Sequence, residues 1–84
     1  MYELNDDDIA DQLGNLPVGA LAAFAELRAT LEVAPWSGEP ARGTNPHGPV
    51  RFFPFASTEG SGFVYYLILD DQRRVDLLEL LWLD

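Results

Sequence analysis

The pattern of apolar and polar positions changes period once along this chain. Up to about residue 33 apolar side chains recur three and four apart, the spacing of a helix face; from residue 50 they alternate or form short unbroken runs, as strands do. Three such runs, Val50–Phe55, Phe63–Asp70 and Arg74–Leu83, are rich in aromatic, β-branched or leucine residues. Turn residues lie between them, from Ser57 to Gly62 and from Asp70 to Arg73. The pattern predicts a three-stranded antiparallel meander with residues 63–70 in the middle. A helix over 74–83 is the competing reading, because its leucines are good helix formers. Pro54 within the first run marks an edge or a bulge. Strict alternation puts Phe63, Tyr65, Leu67 and Leu69 on one face of the middle strand and Val64, Tyr66 and Ile68 on the other. In the last strand it sets Val75, Leu77, Glu79, Leu81 and Leu83 against Arg74, Asp76, Leu78, Leu80 and Trp82. Neither strand has a clean polar face, which fits a strand buried on both sides or a sheet whose second face meets a partner.

Before the meander, Tyr2-Glu3-Leu4 reads as a short strand. Asn5 or Asp6 can cap a helix, with Asp7 and Asp8 at its positive end. Ile9, Leu13 and Leu16 form one stripe, and Gly14 is a natural stop. Pro17 suits the first turn of a second helix running to about Val33, with Leu21, Phe24, Leu27 and Leu31 facing the sheet. Pro35 ends it. The joint at Gly14–Pro17 is short enough for a helical hairpin. Residues 35–49 hold four prolines and three glycines and read as an irregular connector. The expected fold is one α+β domain over residues 1–84: an N-terminal helical hairpin packed on a C-terminal three- to four-stranded antiparallel sheet.

Eighty-four residues suffice for one domain with a thin core, to which 48% hydrophobic residues, ten of them aromatic, contribute. There is no cysteine, hence no disulfide, thiolate metal site or cysteine nucleophile. No apolar stretch approaches the roughly 20 residues needed to span a bilayer. Met1–Asp11 carries five acids and no base, unlike a signal peptide, and the expected location is cytoplasmic. The net charge of −9, with five arginines and no lysine, opposes a general grip on phosphate backbones or anionic membranes. It suits a basic protein partner, or simply solubility.

The order strand, two helices, proline-containing loop and meander resembles the RelE/ParE toxin superfamily. The segments that carry the likeness are Leu16-Pro-x-x-Ala-Leu-Ala-x-Phe, Leu31-x-x-x-Pro-Trp, Gly48-Pro-Val-Arg-Phe, Val64-Tyr-Tyr-Leu-Ile and Val75-Asp-Leu-Leu-Glu-Leu-Leu-Trp. The resemblance implies a toxin of a toxin–antitoxin system, with an antitoxin or target protein as partner. RelE-type members cut mRNA in the ribosomal A site with basic and tyrosine residues on the sheet; ParE-type members bind gyrase and cut nothing. Arg51 matches the family's arginine on the first meander strand. Val64 stands where a second arginine is common, and the chain closes Trp82-Leu83-Asp84 where the family has a basic, histidine or tyrosine residue. The expected function is therefore protein–protein contact without strong catalytic equipment. The alternatives are a ribosome-dependent mRNA endoribonuclease and a non-toxic regulatory or interaction domain.

Under the nuclease alternative, Arg51 and Arg74 would supply charge and Tyr65 or Tyr66 a proton to 2′-hydroxyl attack, with Arg73 nearby. Against this, Arg51 can pair with an acid and the tyrosines can pack within the sheet. Trp82, Tyr66 and Trp36 are the candidates for binding a partner, since exposed aromatics anchor interfaces; each also suits core or edge packing. His47, the lone histidine, reads as a surface-loop residue rather than a general base. Asp6, Asp7, Asp8 and Asp11 lack calcium-loop spacing and read as helix-capping acids. Gly60-Ser-Gly62 reads as a hairpin tip, not a phosphate loop. No cofactor or metal is expected. Naked nucleic acid and membrane are not expected partners, and a homodimer is left open.

Overall fold

A computed structural model describes residues 1–41 and 48–83. The chain begins with β1 (Glu3–Asn5), a 3-10 turn (Asp7–Ile9) and the short helix α1 (Ala10–Gly14). The long helix α2 (Val18–Val33) and a second 3-10 turn (Pro35–Ser37) follow. Then come β2 (Glu39–Pro40), β3 (Val50–Ser57), β4 (Gly60–Leu69), a third 3-10 turn (Asp70–Gln72) and β5 (Arg74–Leu83). No helix among the described residues is long and apolar enough to cross a membrane.

The three C-terminal runs are strands, antiparallel to one another, with β4 between β3 and β5. The rest of the expected architecture is corrected. Among the described residues the sheet has five strands in the order β1-β5-β4-β3-β2 and is mixed, because β1 runs parallel to β5. Backbone bonds fasten β1 on both sides: Tyr2 N–H donates to Glu32 at 2.7 Å and Glu3 N–H to Arg73 at 2.9 Å. The segment read as an irregular connector supplies β2, pairing Glu39 with Phe52 and Pro40 with Arg51. Proline does not prevent this. The Ala41 N–H bonds the Val50 carbonyl, so by alternation the missing N–H of Pro40 points away from β3. The same alternation puts the missing N–H of Pro54 on the outer edge of β3, where no ladder bond is lost.

Among the described residues there is no helical hairpin. α1 is five residues long and buries none of them. Ile9, fully buried, sits in the turn before it, and Leu16, also buried, in the link after it. A single helix therefore covers the sheet. It does so through Ala20, Phe24, Leu27 and Leu31, spaced four, three and four apart. Leu21, expected on this face, is turned out and 43% exposed, because the small Ala20 takes the close contact instead. Asp6 reaches the helix as an ion pair with Arg28 at 2.6 Å.

The last strand departs from strict alternation at one place. Tyr65 pairs with Glu79, but Tyr66 pairs with Leu77, so Leu78 is the extra residue of a β-bulge. Beyond it the faces exchange. Val75 and Leu77, then Leu80 and Trp82, point toward α2, while Leu81 and Leu83 join the opposite face. This replaces the face assignment read from alternation alone.

Candidate functional site

The sheet has one face under α2 and one face left bare by the described residues. On β4 the covered side chains Val64, Tyr66 and Ile68 are buried, whereas Phe63, Tyr65, Leu67 and Leu69 are only partly so. Register carries the bare face across the neighbouring strands. Phe52 pairs with Tyr65, Pro54 with Phe63 and Val50 with Leu67. On the other side Leu81 pairs with Phe63 and Glu79 with Tyr65. Phe52, Phe63 and Tyr65 form a triangle of edge-to-face contacts, with ring centroids 5.5 to 6.0 Å apart. Leu81 and Leu83 extend the apolar surface and are 38% and 64% exposed.

One cross-strand row on this face combines charge and rings. Pairing places Glu39, Phe52, Tyr65 and Glu79 side by side on β2, β3, β4 and β5. Glu3 lies at the β1 edge beside Arg74. Arg74 is occupied by Asp76, with Nε 3.0 Å from Oδ1.

The covered side has a different polar cluster at the end of the sheet nearest the Pro35–Ser37 turn. The Tyr66 hydroxyl donates to the Pro35 carbonyl at 2.6 Å, wholly buried. Burial pushes the Tyr66 hydroxyl pKa up to about 12, against a smaller opposing pull from Arg51. Arg51 donates to the Gly38 carbonyl at 2.8 Å and lies over the Trp36 ring, 5.1 Å from its centroid. Beside it, Asp70 accepts from the Tyr2 hydroxyl and from Trp36 Nε1, bonds that hold its carboxyl below the usual carboxylate range. The same bond to Asp70 is the main reason the Tyr2 hydroxyl pKa is raised. Arg73 stacks on Tyr2 at 4.3 Å. A shallow cleft of about 280 Å³ opens between Trp36 and Asp70–Gln72. A second, about 250 Å³, separates α2 from β3 at Leu27 and Pro54.

The residues singled out in the sequence are thus divided between two sides. Tyr65 and Arg74 are on the bare face; Arg51 is on the covered face, against Trp36 and Gly38. Tyr66 is fully buried and offers no surface. Trp82 packs on Phe55 at 5.7 Å and is partly buried. Trp36, 42% exposed, is the accessible member of the three binding candidates. His47 lies outside the described residues, and among those described no three histidines or acids converge on a point. Gly60 and Gly62 belong to the β3–β4 hairpin end, Gly60 with a positive φ of 148°. Phe52, Phe63, Glu39 and Glu79 were not singled out. The alternation of β3 could have added Phe52 to the bare face; Glu39 could not be placed without recognising β2.

No protein family matches the chain, and no curated protein matches it.

Proposed function

We propose that this chain is a small interaction module that binds a protein through the bare face of its sheet. The observation that carries the reading is the apolar surface of Phe52, Phe63, Tyr65, Leu67 and Leu81, which no element of the chain covers among the described residues. Aromatic residues concentrated in one patch are what interface centres are made of. The order of motifs that resembles RelE/ParE toxins supports a partner of the antitoxin or target kind. A cytoplasmic setting accords with a cysteine-free, strongly acidic chain.

The experiment is site-specific photocrosslinking in cells, with the reactive residue at Leu81 on the bare face or at Ala29 on the exposed side of α2. A discrete crosslinked protein is expected from position 81 and not from 29, and Leu81→Arg should abolish association with that protein. Equal crosslinking from both positions would reject the surface. The nuclease alternative is tested separately, by translation arrest with mRNA mapping on ribosomes. A-site cleavage by the unmodified chain would replace the binding reading with an enzymatic one.

A further inference from the structure

We propose that the partner presents arginine, and that its guanidinium group is held on the row Glu39, Phe52, Tyr65, Glu79. This rests on the bare-face reading and specifies the chemistry of the occupant.

The row places two aromatic rings between two carboxylates. Strands are about 4.8 Å apart, so three strand spacings put the carboxylate-bearing residues roughly 14 Å apart, with the Phe52 and Tyr65 rings between them. The rings meet edge to face, 5.8 Å between centroids, which leaves ring surface for a planar cation to lie against. Both glutamates are exposed, and neither carboxylate has a hydrogen bond or ion pair with another described residue. Arginine fits better than lysine. Its planar, weakly hydrated fork stacks on a ring and still turns N–H groups to a carboxylate at the side.

Charge on the face selects the same occupant. Glu3, Glu39 and Glu79 are there, and Arg74, the cation that register places among them, is answered by Asp76. The net charge of −9 opposes a second copy of this chain as occupant, and equally an acidic protein or a nucleic acid. The chain makes a comparable arrangement internally. Arg73 lies over the Tyr2 ring at 4.3 Å, and the Tyr2 hydroxyl is bonded to Asp70. That is a guanidinium on an aromatic ring beside a carboxylate, the combination an arginine would complete on the bare-face row.

The test uses three synthetic peptides of alternating sequence: arginine and valine, lysine and valine, and the uncharged isostere citrulline and valine. Each is titrated into the full, isotope-labelled chain while amide resonances are followed. The arginine peptide is expected to move the amides of Phe52, Tyr65 and Glu79, the lysine peptide to bind several-fold more weakly, and the citrulline peptide not to bind. The double substitution Glu39→Gln with Glu79→Gln should weaken arginine-peptide binding by roughly three- to tenfold, the scale of two exposed ion pairs, without changing the melting temperature. Added salt should weaken it further. Equal binding of the citrulline peptide, or shifts confined to Asp6–Asp11, would overturn the arginine inference. A discrete crosslink from Leu81 would still stand in that case, so the two readings fail separately. Absence of shifts with all three peptides also overturns it. A homodimer broken by Leu81→Arg would overturn both the arginine inference and the separate-partner reading.

Discussion

The rings of Phe55 and Trp82 lie 5.7 Å apart although β4 runs between their strands. The residue of β4 paired with both is Gly62. With no side chain there, the two rings close over the backbone, and Phe24 of α2 meets Phe55 edge-on at 5.7 Å. A Cβ at position 62 would overlap the Leu81 carbonyl and press on the Trp82 ring at 3.0 Å. Gly62→Ala is therefore expected to destabilise the chain by about 1 to 3 kcal/mol, the usual cost of overpacking. The denaturant midpoint measures it, and an unchanged midpoint would show that the rings do not meet over the strand.

The helix contact gives a paired prediction. Phe24 is 3% exposed and Leu21 is 43% exposed. Phe24→Ala should cost about 3 to 5 kcal/mol, a large share of a small domain's stability. Leu21→Ala should change it by about 0.5 kcal/mol or less. Comparable losses at the two positions would mean that α2 is rotated from the orientation described.

Tyr66 makes stability depend on alkaline pH. Its hydroxyl is neutral, buried and bonded to Pro35, and its pKa is about 12 in the fold against 10.0 ordinarily. A raised folded pKa means that the contribution is fully present below pH 10, is withdrawn as pH rises, and is gone above pH 12. Two units correspond to about 2 to 3 kcal/mol. Tyr66→Phe should lose about 1 to 3 kcal/mol at neutral pH, because the Pro35 carbonyl stays buried without its donor. It should also flatten the alkaline part of the stability profile between pH 10 and 12. A variant profile parallel to that of the unmodified chain would assign that limb to another group.

The bulge explains where sequence reading ended. The strand identity of β3 and β4 was legible from aromatic and β-branched runs bounded by turn residues, and that of leucine-rich β5 against a competing helix; β2, inside the proline- and glycine-rich connector, was not legible. Face assignment in β5 was not: Leu77, Leu78, Leu80 and Leu81 are chemically alike, and one extra leucine shifts the parity without a polar signal. Half of the bare face was legible from β4 alone, through Phe63, Tyr65 and Leu67. The row of acids and rings was not, because it depends on β2 and on the bulge together. Likewise, Ile9 and Leu16 suggested a helix, but their burial comes from the turns flanking a five-residue one. Deleting Leu78 offers the corresponding test. Without it, β5 would pair residue for residue with β4, Leu77 opposite Tyr66, Glu79 opposite Tyr65 and Leu80 opposite Val64, so Leu80 and Trp82 would stay under α2 and Leu81 and Leu83 on the bare face. The deletion should therefore leave the chain folded with native-like hydrogen exchange in β5, and Leu78→Ser should likewise be tolerated at a 40% exposed position. An unfolded deletion variant, or exchange raised throughout β5, would argue against the bulge at Leu78.

The purified chain is expected to leave naked RNA intact and to bind it weakly at physiological salt. Cleavage by 2′-hydroxyl attack needs a base, an acid and cationic stabilisation at one phosphate. Arg51 and Arg74 are on opposite faces of the sheet, one held by the Gly38 carbonyl and the other by Asp76, so they do not serve one phosphate together. Adding Arg73 gives three arginines, against the roughly 6 to 10 phosphate contacts of a strong binder. Arg51→Ala should lower the melting temperature, because it removes the bond to Gly38 and the packing on Trp36. Arg74→Ala should leave it nearly unchanged, because an ion pair this exposed contributes little. The decisive measurement is RNA integrity with each folded variant beside the unmodified chain. Cleavage that disappears in both Arg51→Ala and Arg74→Ala would show that the two residues act at one site, and the separation of the two faces would then be wrong.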